Sequence, residues 1–244
     1  MKPLVSIIIP CYNAEEYVQA CVESALNQNY DRVEVLAIDN ESSDSTLNIL
    51  EDLQKSYDNL FIDTAPNIYP NCWDEARQKG FELSSGKYLF TLASDDFLDR
   101  SYISNCMEYV QVAPEKIMVL QSPIKNVEGN NTIPRGEIKH TYRNLEMFKE
   151  MCLEKCPVNS PTVMFNRSLY EKGLLKTYPE KYGGAADYDL YCRLANNGIF
   201  IYPAHRWTGY YYRWHEKQAT WNVHKEGINY DKKIQEYWRE KWQD

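Results

Sequence analysis

The sequence predicts an α/β fold in which a mostly parallel sheet is flanked by helices, and three observations carry that expectation. Apolar runs of strand length ("LVSIII", "VEVLAI", "LFIDT", "YLFTLA") recur through the first hundred residues. Between them lie stretches whose apolar residues repeat at helical spacing. The connections are short, and strand–helix–strand order with short loops gives parallel strands joined by right-handed crossovers.

Each element follows in order. "LVSIII" (4–9) is a continuous apolar run of buried-strand type, closed by Pro10. In "NAEEYVQACVESALNQ", Val18, Cys21, Val22, Ala25 and Leu26 form a stripe, with Asn13 expected as N-cap and Glu16 three residues on. "VEVLAI" (33–38) is the second strand, and Leu47, Leu50 and Leu53 mark the second helix. "LFIDT" (60–64), the helical "NCWDEARQKGFEL" (71–83) and "YLFTLA" (88–93) continue the alternation. The second half is less regular. A helix is expected around 100–112, a strand at "IMVLQS" (117–122), a loop at 126–136 and a helix near 143–155. "TVMF" (162–165), a loop through Gly183 and Gly184, and a helix starting near Asp187 follow. "IFIY" (199–202) and "TGYYYRW" (208–214) read as final strands. Residues 1–221 are expected as one domain and 222–244 as an amphipathic helical tail, with Ile234, Tyr237, Trp238 and Trp242 on one face.

Composition narrows the function classes. The 244 residues carry 35 acidic against 27 basic side chains, a net charge of −8 that argues against binding nucleic acid through general backbone attraction. Seven scattered cysteines fit buried thiols in a reducing compartment better than a disulfide framework, and Cys152 with Cys156 has no second pair to make a zinc site. The opening apolar run is too short for a signal-peptide core or a membrane span, so a cytoplasmic protein is expected. The tail, with "YWREKW", would either pack on its own domain or a partner subunit, or lie peripherally on the inner face of the membrane.

In parallel sheets, ligands sit beyond the carboxyl ends of the strands. "PCYN", "DNESSD" and "SDD" all follow strand ends and should converge on one edge. Asp39 there could accept from a ligand's ring N–H or ribose hydroxyl, or could serve a turn. Asp95 and Asp96 could hold Mg²⁺ or Mn²⁺ with ligand phosphates completing the shell, or could form a turn before a helix near Asp99. Together they favour a nucleotide–metal site.

The stretches "VSIIIPCYNAEEYVQACVESALNQNY", "EVLAIDNESSDST", "ARQKGFELSSGKYLFTLASDDFL", "PVNSPTVMFNRSLYEKG", "AADYDLYCRLANNG" and "YYYRWHEKQAT" closely resemble family 2 glycosyltransferases of the GT-A fold. The resemblance covers roughly residues 3 to 220 in order. It implies an inverting enzyme that moves a sugar from a nucleotide-diphosphate donor (a UDP- or other NDP-sugar) to a saccharide or lipid-linked acceptor, with Mn²⁺ or Mg²⁺ as cofactor. Surface polysaccharide or glycan biosynthesis is the common setting of such domains. The resemblance places Pro10, Tyr12, Asn13, Asp39, Arg77, Ser94, Asp95 and Arg213 at the donor nucleotide. It places the metal at Asp95 and Asp96, with His215 reaching the metal or the diphosphate. Asp187 is the implied catalytic base and Asp189 the alternative. Three positions depart from the family pattern: Asn40 stands for a second aspartate, Ala93 for the first acid of the metal motif, and Ala186 for the acid before Asp187. Two rivals follow. A catalytically silent sugar-nucleotide module is suggested by Ala93 and Ala186, and a nucleotidyltransferase would need a glycine-rich phosphate loop that "PCYNAEEY" lacks.

Overall fold

The N-terminal apolar run becomes β1 (Val5–Cys11), with Val5, Ile7, Ile8 and Ile9 fully buried, in a computed structural model that describes residues 2–68, 72–218 and 227–243. Burial on both faces is what a continuous rather than alternating apolar strand requires. Around it run α1 (Val18–Leu26), β2 (Val33–Asp39), α2 (Thr46–Gln54), β3 (Leu60–Thr64), α3 (Cys72–Leu83) and β4 (Tyr88–Thr91), which is the expected alternation. The stripe expected on the first helix is the one buried, through Val18, Cys21, Val22 and Ala25.

Beyond β4 the chain continues as β5 (Phe97–Leu98), α4 (Tyr102–Val112), β6 (Val119–Gln121), β7 (Ile124–Glu128), β8 (Gly136–Ile138) and α5 (Leu145–Cys152). Then come β9 (Met164–Asn166), α6 (Arg167–Glu171), α7 (Pro179–Tyr182), α8 (Ala186–Asn196), β10 (Ile201–Pro203), β11 (Tyr210–Trp214) and α9 (Tyr230–Gln243). The main sheet has the order β10-β6-β9-β4-β1-β2-β3, and β9 alone runs antiparallel to its neighbours. A second sheet, β5-β11-β7-β8, holds the remaining strands. The stretch 126–136, expected as a loop, instead begins and ends in strand: β7 and β8 pair antiparallel around its middle.

One further reading is corrected. Asn13 does not cap α1, which starts at Val18 with Tyr17 before it. Asn13 adopts φ +46°, a left-handed conformation that asparagine tolerates, and its Oδ1 accepts from the Ser43 backbone N–H at 2.8 Å. The described part of the tail is helical, as expected. Ile234 and Trp238 of α9 are buried with α8 in the same core cluster, while the Lys- and Glu-rich face points outward. Residues 222–226, the expected start of that tail, and the 221/222 boundary lie outside the described residues.

The register explains why ligand-facing residues gather at one edge. β1 pairs with β2 so that Cys11 lies opposite Asp39, and Ile8 lies opposite Thr91 at the end of β4. β10 runs parallel to β6 and, through the antiparallel β9, in the sense of β1. A helix feeding such a strand runs back across the sheet, so the N-terminus of α8 arrives at the same carboxyl edge.

Gly80 shows how closely α3 approaches the sheet. A glycine inside a helix costs about 1 kcal/mol relative to alanine, yet a Cβ here would collide with the Ile8 side chain of β1. Gly80→Ala is therefore expected to lower the unfolding free energy by about 1–3 kcal/mol through overpacking, despite the better helix former. Urea denaturation measures this directly.

Candidate active site

At the end of β1 and β2, two loops are laced together by short polar side chains. The Asn13 N–H donates to Ser42 Oγ at 3.0 Å, Ala14 N–H to Thr46 Oγ1 at 2.8 Å and Glu15 N–H to Asp44 Oδ2 at 3.1 Å. Asp39, only 2% exposed, accepts the Ser42 N–H on Oδ2 at 3.0 Å. Its Oδ1 is buried and has no hydrogen-bond partner among the described residues. Such an orphaned acceptor is costly unless something donates to it. Pro10 borders this loop, and Tyr12 stands beside it with 53% of its surface exposed. Asn40 uses its amide to donate to the Ala65 and Pro66 carbonyls, both at 3.4 Å, a task that a carboxylate could not perform.

The second group forms where β4 ends. His215 Nε2 contacts Asp95 Oδ2 at 2.9 Å, and the His215 ring lies 5.0 Å from that of Tyr17. Asp96 is fully buried, and both of its oxygens are committed to β11. Oδ1 accepts the Arg213 backbone N–H and Oδ2 the Tyr210 hydroxyl, each at 2.7 Å. Burial, then the neighbouring Asp95 charge, pushes the Asp96 carboxyl well above the usual carboxylate range. Arg213 donates Nε to the Asp95 carbonyl at 2.7 Å and Nη1 to the Gly129 carbonyl, with its guanidinium between the Tyr17 and Phe97 rings. Ser94 is half-buried in the turn before Asp95. Asp99, further on, accepts from Ser101 N–H and Oγ–H just before α4.

The third group surrounds the N-terminus of α8. Asp187 is the second residue of that helix, and the Tyr188 N–H donates to its Oδ1 at 2.7 Å. Burial raises its carboxyl above the usual range, against the Ser160 hydroxyl, the Tyr188 amide and the Arg77 charge, which lower it. Arg77 is not a surface charge: it is 5% exposed and bonds to Asp74 at 2.6 Å and to the Leu175 carbonyl at 3.3 Å. Asp189 faces another way. Its Oδ2 accepts Arg193 Nε at 2.8 Å and its Oδ1 accepts Trp238 Nε1 at 3.1 Å. Ala186 is fully buried, so a carboxylate at that position would enter the core.

Sequence reasoning missed Tyr17, Ser160 and Tyr210. Tyr17 precedes the helical stripe without belonging to it, and Ser160 sits in the "PVNSPT" stretch without any acid or base beside it. Only alternation along β11 could have paired Tyr210 with an inward carboxylate.

The fold is that of a GT-A glycosyltransferase domain. The chain belongs to glycosyl transferase family 2, whose family model matches residues 6–178. It is 28% identical over 198 residues to the chondroitin synthase of Escherichia coli, covering 81% of this chain but only 27% of that protein. S. aureus TarS in complex with UDP-GlcNAc shares the fold with a TM-score of 0.68 at 18% identity, over 88% of this chain and 60% of that one. The mannosyltransferase PcManGT from Pyrobaculum calidifontis, in complex with GDP-Man and Mn²⁺, gives a TM-score of 0.66 at 14% identity, over 91% and 60%.

Removing the Asp96 carboxylate tests how the second group is held. Asp96→Ala leaves the Tyr210 hydroxyl and the Arg213 amide buried without an acceptor. The expected loss is about 1–3 kcal/mol for each orphaned group. Asp96→Asn, which keeps one acceptor oxygen, should lose less. Chemical denaturation of the two variants reads the difference.

Proposed function

We propose that this domain transfers a sugar, with inversion, from a nucleoside-diphosphate donor to a hydroxyl of a saccharide or lipid-linked acceptor in surface polysaccharide or glycan synthesis. The observation that carries the reading is the orphaned Asp39 Oδ1 in line with the Asp95–His215 pair along one sheet edge. A nucleotide base offers Asp39 the ring N–H that it lacks, with Tyr12 and Asn13 bordering the base. The diphosphate then falls toward Asp95 and His215.

A carboxylate and an imidazole together fit a divalent cation whose remaining positions are filled by phosphate oxygens. Among the described residues no cluster of three or more His, Cys, Asp or Glu side chains could hold a metal alone. Asp95 and His215 are therefore the groups that would hold Mn²⁺ or Mg²⁺, and Asp96, committed to β11, supports them from behind. When bound, such a cation neutralises charge on the departing diphosphate. The donors of Arg213 go to the Asp95 and Gly129 carbonyls, so its charge acts on the phosphates across the Asp95 turn.

At the other end, Asp187 takes the proton of the acceptor hydroxyl as that oxygen attacks the anomeric carbon. Its raised carboxyl makes it a stronger base than an exposed aspartate. Attack from the face opposite the diphosphate inverts the centre. Asp189, with both oxygens engaged by Arg193 and Trp238, is a structural carboxylate. The buried apolar residues of α9 favour a tail that belongs to the domain over one that lies on a membrane.

A thermal-shift panel of UDP-glucose, UDP-GlcNAc and GDP-mannose with Mn²⁺ should raise the melting temperature for at least one donor, because ligands of the folded state stabilise it. Asp95→Ala should abolish that shift, and the absence of any shift in the parent chain would refute the donor site. Asp187→Ala should retain the shift and lose turnover by at least about 100-fold. Deprotonated Asp187 is the active form, and its carboxyl lies above the ordinary range. The acid limb of the kcat–pH profile should therefore also lie above that range. A limb at the ordinary carboxylate position would remove Asp187 from the role.

A further inference from the structure

We propose that α9 is a brace that fixes the Asp187 carboxylate in place, with Trp238 as its positioning residue, an inference that rests on Asp187 being the base. Among the contacts that tie α9 to the segment carrying Asp187, three reach the turn before it or the helical turn that it starts. Tyr230 lies over Gly183, where a Cβ would stand 2.7 Å from the tyrosine ring and where φ is +52°. Lys233 Nζ donates to the Lys181 carbonyl at 3.2 Å. Trp238 Nε1 donates to Asp189 Oδ1 at 3.1 Å, on the helical turn that begins with Asp187.

The segment needs such support because its own resources are few. Residues 183–185 form one short turn between α7 and α8, and α8 begins with Ala185 as a cap that has no side-chain hydrogen bond. An uncapped N-terminal turn leaves amide groups without fixed partners and frays easily. The indole bond to Asp189 and the ring on Gly183 pin the turn from both sides. Asp189, salt-bridged also to Arg193, is thereby locked to α9 rather than turned toward the edge.

The brace also has an electrostatic side. The groups that act on Asp187 come from each element packed around it: Arg77 of α3, Ser160 of the turn before β9, the Tyr188 amide of α8 itself, and Asp231 of α9. Cys156, after α5, and Tyr191 of α8 feel its charge in return. Arg77, Ser160 and Tyr188 favour the ionised carboxylate, whereas the Asp231 charge disfavours it. A negative residue on α9 thus keeps the base more basic than its own helix would.

Two conservative substitutions in the full chain separate a brace from a mere cover. Trp238→Phe keeps a buried aromatic and removes only the indole donor. Asp231→Asn alters one charge at a half-exposed position. With the donor chosen from the thermal-shift panel, turnover is followed as release of its nucleoside diphosphate, and melting temperature is recorded alongside. Trp238→Phe should lower kcat on the order of tenfold while donor KM stays within about twofold, since misplacing a reacting group costs turnover and not binding. Asp231→Asn should move the acid limb of kcat to lower pH, because removing the nearby negative charge makes Asp187 easier to ionise. A folded Trp238→Phe with parent kcat, together with an unmoved limb in Asp231→Asn, overturns the brace. Should Trp238→Phe fail to fold, Tyr230→Leu, which removes the ring over Gly183, decides in its place by the same split of kcat against KM. Asp187→Ala distinguishes the two layers of inference: retained turnover there overturns the base itself, whereas lost turnover beside two normal α9 variants overturns only the brace.

Discussion

The position of β11 against the end of β4 governs the rest of the candidate site, and the Asp96 carboxylate fixes it. One oxygen holds the backbone of β11 at Arg213 and the other holds the Tyr210 hydroxyl, two positions that no local pattern links to "SDD". A buried carboxylate is expensive unless it is hydrogen-bonded, so this one is satisfied only while β11 stays in place. From that anchor, Arg213 reaches the Asp95 carbonyl and His215 reaches the Asp95 side chain. The Tyr17 ring closes the group, touching both the guanidinium and the imidazole. The second sheet is thereby joined to the first at the place where a diphosphate would lie.

How far the sequence showed this depends on the range of the forces involved. The first half was legible because buried parallel strands write themselves as apolar runs and their crossover helices as stripes. Strands β5, β7 and β8 were not, since β5 is only Phe97–Leu98 and the short β7 and β8 mix polar residues, Asn or Gly with the apolar ones. Asp39 and Asp95 could be found because a carboxylate after a strand end is a local signal. The burial of Arg77 could not, because its partners Leu175 and Thr177 lie about a hundred residues away. Asn13 misled for a related reason: an asparagine before a helical stripe reads as a cap, but its side chain serves the neighbouring loop. Asp187 and Asp189 differ by about 200° around a helix, so they cannot face the same neighbour. Which faced the edge and which faced α9 became readable only once α9 was seen against α8.

Two of the three departures from the family pattern, Asn40 and Ala186, follow one logic of charge. Asn40 donates to two backbone carbonyls at the end of β3, where a carboxylate would be repelled. Ala186 is fully buried on the first turn of α8, where a carboxylate would need a donor beside the half-buried Asp187. Asp39, Asp96 and Asp189 are each nearly inaccessible already, and each further buried acid would raise the others by like-charge repulsion. With a net charge of −8 the molecule gains little from more. The two substitutions spare it unpaired carboxylates at an edge whose remaining acids have assigned partners or, in Asp39 Oδ1, one oxygen awaiting a donor.

The two ends of the edge are held by different kinds of structure, and the difference matches what each end has to do. The end at Asp39 is built from adjacent strand–helix loops stitched by short hydrogen bonds among Asn13, Ser42, Asp44 and Thr46. Such a net is local and stiff, which suits a group that must recognise one face of a ligand before any reaction. The end at Asp187 hangs on a helix start whose stability comes from α3, from Ser160 and from α9, elements far apart in sequence. Its geometry is therefore a property of tertiary packing, and small shifts in that packing move the carboxylate without disturbing the loops at Asp39. The laced loops at Asp39 and the helix start at Asp187 rest on separate supports, so a change in one need not carry over to the other.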